Sequence, residues 1–320
     1  MKQRSANMLL QRPVNRLSAV AGLAVVVAAM STAPAFGAFI YGIDDNNNIH
    51  EVNTDTQSST TVYTNGTIPA GVSNAFAYDT ARDQFFFIDS NNDLQFWTRV
   101  GNPSTLVSAA TLGLNPSDPA EQPQNAAYYN NAYWFFYEGT NTLNRVSFTY
   151  AGGLPTTPVV DDFNLSQAAG GTGPASWTNT FGDIAINTTT GILYGATQSG
   201  VFFSVDLNGT PTTATSISQG NPSLQLSFND DYSILYGQAF TGGQWYTVNT
   251  TTGAATSIPG FAITFGGTDG LRDLGGAAST SAVVPEIDPA SFGSAFAMLL
   301  GVLALIERRS LRRLSLSGIA

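Results

Sequence analysis

Apolar and polar residues alternate along most of the chain from Phe39 to Gly275, and the alternation recurs as a unit. The unit is an apolar strand, a short turn rich in Asp, Asn or Gly, and a second alternating strand. It reads FIYGIDDNNNIHEVN from Phe39, FFFIDSNNDLQFWTR from Phe85 and WFFYEGTNTLNRVSF from Trp134. It returns as ILYGATQSGVFFSVDLNG from Ile192 and ILYGQAFTGGQWYTVNTTTG from Ile234. A period of two with β-branched and aromatic residues is the mark of strands. A further strand precedes four of these hairpins: NAFAYD at Asn74, NAAYYN at Asn125, FGDIAIN at Phe181 and SLQLSFN at Ser223. A Thr/Ser/Val-rich strand follows each hairpin: STTVYT, STLVSAAT, TPVVDDF, TATSIS and AATSIP. No amphipathic helix interrupts the series.

Equivalent aromatics in the five hairpins are Tyr41, Phe86, Phe135, Tyr194 and Tyr236, spaced by 45, 49, 59 and 42 residues. That period is the length of a four-stranded propeller blade. The Phe39 hairpin has no inner strand before it. A matching strand stands at the other end, where Leu271-Arg272-Asp273-Leu274-Gly275 repeats the Asp and apolar placement of Phe181-Gly182-Asp183-Ile184-Ala185. The expected fold is therefore an all-β, five-bladed β-propeller. Its C-terminal inner strand pairs with the N-terminal hairpin, which removes free sheet edges at the seam. A sixth blade would have to lie in residues 164–180, which lack alternation and read as a long loop carrying Trp177.

The two ends carry different patterns. Lys2, Arg4, Arg12 and Arg16 precede the 14-residue apolar run Leu17–Met30, and small residues follow at Ala35, Gly37 and Ala38. This is the three-part layout of a secretory signal peptide, spanning residues 1–38 with cleavage after Gly37 or Ala38 by signal peptidase. At the other end Val284-Pro285-Glu286-Ile287-Asp288-Pro289 precedes an apolar stretch, 290–306, and then Arg308, Arg309, Arg312 and Arg313. The arginines place the preceding chain outside the cytoplasm by the positive-inside rule. The motif, apolar stretch and arginine cluster together resemble the PEP-CTERM sorting signal in its VPEID variant, over residues 284–313. The resemblance implies recognition by an exosortase of an exopolysaccharide-producing Gram-negative bacterium. It also implies transient inner-membrane anchoring, cutting near Pro285-Glu286, and then release to, or transfer at, the cell surface. The expected organisation is a signal helix at 1–38, a propeller at 39–283 and a sorting signal with a transmembrane helix at 284–320.

Composition narrows the chemistry. The absence of cysteine excludes disulfides, thiolate metal sites and cysteine nucleophiles. One histidine, His50, and one lysine, Lys2, exclude paired-histidine metal sites, Schiff-base chemistry and a phosphate-loop lysine. Between the two ends, Arg82, Arg99, Arg145 and Arg272 face 19 acidic residues, a net charge of −15. Such a surface excludes nucleic acid as a partner, since phosphate neutralisation needs Lys and Arg.

Asp183 and Asp273 fall at matching positions on inner strands, and Asp79 ends another. Converging carboxylates near the axis suit Ca²⁺, or the acid and base of a glycosidase. A repeated Asp more simply caps a turn or holds the neighbouring blade through a backbone hydrogen bond, and that reading is preferred. Asp44-Asp45-Asn46-Asn47-Asn48 and Asp89-Ser90-Asn91-Asn92-Asp93 resemble the start of a Ca²⁺ loop. Both lack its Gly and its terminal Glu, so turn chemistry is the better account of Asp44, Asp89 and Asp93. His50 is expected at the surface or in packing. Of the aromatics Trp97, Tyr128, Tyr129, Trp134, Trp177 and Trp245, most should pack between blades, with Tyr129 and Trp177 the candidates for stacking on sugar rings. The expectation is a non-catalytic surface or matrix protein, without a required cofactor, that binds exopolysaccharide or a protein partner. The rival is a propeller glycoside hydrolase or lyase using Asp79, Asp183 and Asp273.

Overall fold

The computed structural model describes residues 39–64, 74–113, 123–180, 182–265 and 269–278. Gly37 and Ala38, where signal cleavage is expected, the motif Val284–Pro289, and Arg308, Arg309, Arg312 and Arg313 lie outside them. Among the described residues no helix is long and apolar enough to cross a membrane.

Among the described residues, twenty-one strands form five sheets. Along the chain, β1 (Phe39–Ile43), β2 (Ile49–Asn53) and β3 (Ser58–Tyr63) belong to blade I. Blade II is β4 (Asn74–Asp79), β5 (Gln84–Ile88), β6 (Leu94–Trp97) and β7 (Ser104–Val107). Blade III is β8 (Pro123–Tyr129), β9 (Ala132–Tyr137), β10 (Thr142–Ala151) and β11 (Leu154–Asn164). Blade IV contains β12 (Ser166–Ala169), β13 (Asp183–Asn187), β14 (Ile192–Ala196), β15 (Phe202–Asp206) and β16 (Thr213–Ser218). Blade V is β17 (Leu224–Phe228), β18 (Leu235–Ala239), β19 (Gln244–Val248) and β20 (Ala255–Ala262). The last strand, β21 (Asp273–Ala278), returns to blade I and pairs antiparallel with β1, setting Ile43 opposite Asp273 and Phe39 opposite Ala278. The expected closure of the ring is present.

Alternation explains the core. Each strand sends one set of side chains to each face, and each face packs on a neighbouring blade. Five apolar clusters result, one for each junction. Tyr41, Phe76, Phe85 and Trp97 join blades I and II. Phe86, Tyr133, Phe135 and Phe148 join II and III. Trp134, Phe136, Ile184 and Phe203 join III and IV. Phe202, Leu226 and Leu235 join IV and V. Ile40, Trp245, Phe261, Leu271 and Leu274 join V back to I. The fifth cluster uses both chain ends, so burial as well as pairing closes the ring. The glycine after the repeated tyrosine has a packing reason: a Cβ on Gly195 would lie 2.2–2.8 Å from the Phe203 ring.

Three details differ from expectation. Residues 164–180 are not all loop: Ser166–Ala169 forms β12, a fifth strand parallel to β16. An edge strand pairs on one side only and needs no alternating apolar face, so SQAA carried no signal. The STLVSAAT segment is a strand only over Ser104–Val107. Ala109–Leu112 then makes one helical turn, α1, ended by Gly113 at φ 76°. In blade III, β10 and β11 run on as a long hairpin, and Gln84 of blade II donates to the Gly153 carbonyl at its tip at 2.6 Å.

Candidate functional site

Inner strands present an unpaired edge to the axis, and buried N–H groups there need acceptors. Asp183 and Asp273, both fully buried, supply them. Asp183 Oδ1 accepts the N–H of Ile184 at 2.6 Å, and its Oδ2 accepts those of Leu226 (2.8 Å) and Leu274 (3.3 Å). Asp273 Oδ2 accepts the N–H of Phe76 at 2.6 Å, and its Oδ1 accepts that of Leu274 at 3.0 Å. The Tyr133 hydroxyl donates to the Ala75 carbonyl. Residues from all five blades thus meet around the axis.

The two carboxyls also share one donor, the Leu274 N–H, and each acts on the other's proton affinity. Burial first, and then the neighbouring Asp273, push Asp183 far above the usual carboxylate range. Burial also raises Asp273, while hydrogen bonds from Asp183, Phe76 and Leu274 hold it back. Two carboxylates in this dry setting cannot both ionise, so the pair titrates as a unit that holds a proton near neutrality. Burial and then the charges of Asp273 and Asp183 raise the Tyr133 phenol as well.

The acid pair separates two cavities and lines neither. The first, about 600 Å³, opens where the inner strands end and turn outward. Tyr78, Tyr128, Tyr129, Phe228 and Tyr232 give it aromatic walls, and Asp79 and Arg82 add charge. Arg82 is held on three sides. Its Nη1 donates to Asp79 Oδ2 at 2.8 Å, its Nη2 donates to Asn131 Oδ1 at 2.8 Å, and its guanidinium lies 3.7 Å from the Tyr150 ring centre. Tyr150 comes from the long blade III hairpin and shares a 2.5 Å hydroxyl hydrogen bond with Tyr128. Burial above all pushes the Tyr150 phenol up to about 12.

The second cavity, about 480 Å³, lies at the start of the inner strands. Amides line it, from Asn74, Gln124, Gln198 and Gln225, with Phe240 and Arg272.

The candidate residues therefore divide. Asp183 and Asp273 come together, each engaged by backbone N–H groups. Asp79 stands in the first cavity, paired with Arg82 and accepting the Ala81 N–H at 3.0 Å. Tyr129 lines the same cavity. Trp177 lines neither: Gln167 clamps its backbone N–H and carbonyl at 2.9 and 2.8 Å, and its ring packs 5.6 Å from Phe203. Trp97, Trp134 and Trp245 are core residues. Asp44 Oδ1 accepts the N–H groups of Asn46 and Asn48, both at 2.8 Å, and Asp89 Oδ1 accepts those of Asn91 (2.9 Å) and Asp93 (3.0 Å). Asn47 and Asn92 both sit at φ 61°. The two loops are copies of one turn. Asp93 caps α1 by accepting the Ala109 N–H at 2.7 Å. His50 is buried rather than at the surface, between Asp44 Oδ2 at 2.9 Å and Thr61 Oγ1 at 3.2 Å. Burial opposes the charge on Asp44, but the hydrogen bonds from His50 and Asn48 outweigh it and lower its pKa.

Arg82, Tyr150 and the amides of the second cavity were not singled out from sequence. Amides neither titrate nor form a motif, and Tyr150 reaches its place only because the blade III hairpin is long.

No protein-family model matches this chain, and no curated protein does. Among solved structures, a nidogen/laminin complex aligns at 15% identity over 72% of this chain and 82% of that chain, with a TM-score of 0.45. A gluconolactonase of Xanthomonas campestris aligns at 12% identity over 72% and 73%, with a TM-score of 0.43. TolB of Acinetobacter baumannii aligns at 12% identity over 85% and 75%, with a TM-score of 0.42. At these values the likenesses carry no functional argument, and the propeller assignment rests on the strand order above.

Proposed function

We propose that the protein is exported, processed by an exosortase, and acts at the cell surface or in the extracellular matrix as a non-catalytic polysaccharide-binding propeller. The observation that carries the binding reading is the first cavity. Four tyrosines, a phenylalanine and an Arg82–Asp79 pair surround a space of about 600 Å³, within the size range of small-molecule pockets. Sugar rings present apolar C–H faces to aromatic walls and hydroxyls to the polar groups between them. Export rests on the signal peptide at 1–38 and the resemblance of 284–313 to the VPEID sorting signal.

The non-catalytic part rests on how the acids are used. A glycosidase needs two carboxyls about 5–10 Å apart on either side of an accessible bond. Asp183 and Asp273 sit between the cavities and line neither, and Asp79 is tied to Arg82.

The test incubates the full exported protein with the host's exopolysaccharide, then follows co-sedimentation and new reducing ends together. Co-sedimentation that weakens in Tyr128→Ala, with no new reducing ends, is the expected result. New reducing ends that vanish in Asp183→Asn or Asp273→Asn would replace this reading with the glycosidase.

A further inference from the structure

We propose that the opposite mouth of the channel is a second binding site, for a neutral hydroxylated ligand of the saccharide class, held by Asn74, Gln225 and Arg272. This site is independent of the first cavity, from which the acid pair separates it.

The argument starts from unmet hydrogen bonds. Asn74 Oδ1 and Gln225 Oε1 are buried acceptors without a partner, and both residues line the cavity. Arg272 Nε is a buried donor without a partner at the same cavity. Native proteins leave few such groups unpaired, because each carries the penalty of desolvation. Here two acceptors and one donor, from blades II, V and I, surround one space of about 480 Å³. The Asn74 amide is already oriented, since its Nδ2 donates to Gln124 Oε1 at 2.9 Å. Arg272 is oriented as well, by its Nη1 bond to Asp45 Oδ1 at 3.0 Å.

Charge selects the ligand. A cation would sit against Arg272. An anion would sit above the Asp183–Asp273 pair, in a domain of net charge −15. A neutral group fits, and it must donate to two amide oxygens while accepting from a guanidinium nitrogen. A hydroxyl does both from one atom. Several hydroxyls on a rigid ring meet dispersed amides, and Phe240 offers an apolar face to the ring.

The test uses saturation-transfer NMR and calorimetry on the full exported protein, with maltotriose, chitotriose and cellotriose as probes. At least one probe should bind with its ring protons saturated. Gln225→Leu and Asn74→Leu should each weaken binding about tenfold, the loss of one hydrogen bond. Gln225→Leu should leave the melting temperature unchanged, because it removes an unpaired buried acceptor, whereas Asn74→Leu also gives up the bond to Gln124 and should lower it slightly. Thr241→Arg, on an exposed residue of the rim, should abolish binding with the core untouched. Tyr232→Ala, in the first cavity, should leave this binding unchanged. The proposal is overturned if no probe binds, or if binding survives Thr241→Arg. It is also overturned if Gln225→Leu loses stability, which would assign that amide to the fold rather than to a ligand.

Discussion

The Asp183 and Asp273 carboxyls share the Leu274 N–H at the propeller axis, while Asp183 also accepts from Ile184 and Leu226 and Asp273 from Phe76. Sequence repetition put the two aspartates at one register in two blades, and the ring brings them face to face. Their job follows from the edges they serve. Inner strands have no partner on the axial side, and a carboxyl can take several N–H donors at once.

This pair makes stability depend on pH in a stated direction. Folding raises both pKa values, so the folded protein holds protons that the unfolded chain releases near pH 3.9. The pair's contribution is complete below that range. It falls as pH rises toward about 7, the value to which Asp273 is raised. The Arg272 charge also acts on Asp273, and the Tyr133 phenol, raised by burial, stays neutral in that window. Asp183→Asn keeps a donor toward Asp273 and removes one of the two titrating groups, leaving Asp273. Melting temperatures of the wild type should therefore decline relative to Asp183→Asn between about pH 4 and pH 7. Parallel curves would show that the pair is not linked to folding. Asp183→Ala, which strands the Ile184 and Leu226 N–H groups and leaves that of Leu274 to Asp273 alone, should destabilise by about 2–5 kcal/mol in urea titration.

Gly195 follows the repeated tyrosine because Phe203 fills the space its side chain would occupy. Its backbone is not left-handed, so the constraint is contact rather than conformation. Gly195→Ala should destabilise by about 1–3 kcal/mol through overpacking at the junction of blades III and IV. Gly195→Ala combined with Phe203→Leu should recover part of that loss. Equal losses in the single and double variants would point to another cause.

The parts of the fold that were legible are those with a period. Tyr41, Phe86, Phe135, Tyr194 and Tyr236 mark five blades because each falls on the second strand from the axis, β1, β5, β9, β14 and β18. Leu271–Gly275 was readable as the missing strand because Asp273 copies Asp183. Ser166–Ala169 was not readable, since an edge strand paired on one side has no obligatory pattern. The site was legible only where chemistry is rare. Carboxylates stand out in a chain with 11% charged residues, and Asp79 and Tyr129 do reach the first cavity. Asn74 and Gln225 did not stand out, because amides are frequent in turns and only the assembled ring shows which oxygens lack partners. Trp177 looked free in a loop, but Gln167 holds it from ten residues away, a bond no local pattern announces.

The loops at Asp44 and Asp89 separate turn from metal site. Each Oδ1 already takes two backbone N–H groups, and each Oδ2 takes a side-chain donor, Asn48 and His50 in one case and Gln95 in the other. Calcium or a chelator should leave the melting temperature unchanged. Asp89→Ala should lower stability by about 1–3 kcal/mol with or without calcium, because buried donors lose their acceptor. A calcium-dependent rise in melting temperature that Asp44→Ala or Asp89→Ala removes would restore the metal reading.

The seam of the ring lies close in sequence to Val284–Pro289, the motif proposed for sorting. Strand β21 ends at Ala278 and the motif begins at Val284, so a cut near Pro285-Glu286 leaves all of β21 with the propeller. Processing should then release a domain whose melting temperature equals that of the uncut protein. Truncation after Gly270 should behave differently. It removes Asp273 from the axis, Leu271 and Leu274 from the junction of blades V and I, and the partner of β1. An uncovered β1 is a free edge that pairs with other chains. Size-exclusion chromatography should find the processed form monomeric and the truncated form aggregated. A truncated chain that stays monomeric with an unchanged melting temperature would mean that the closing strand is dispensable, and that Asp183 alone holds the axis.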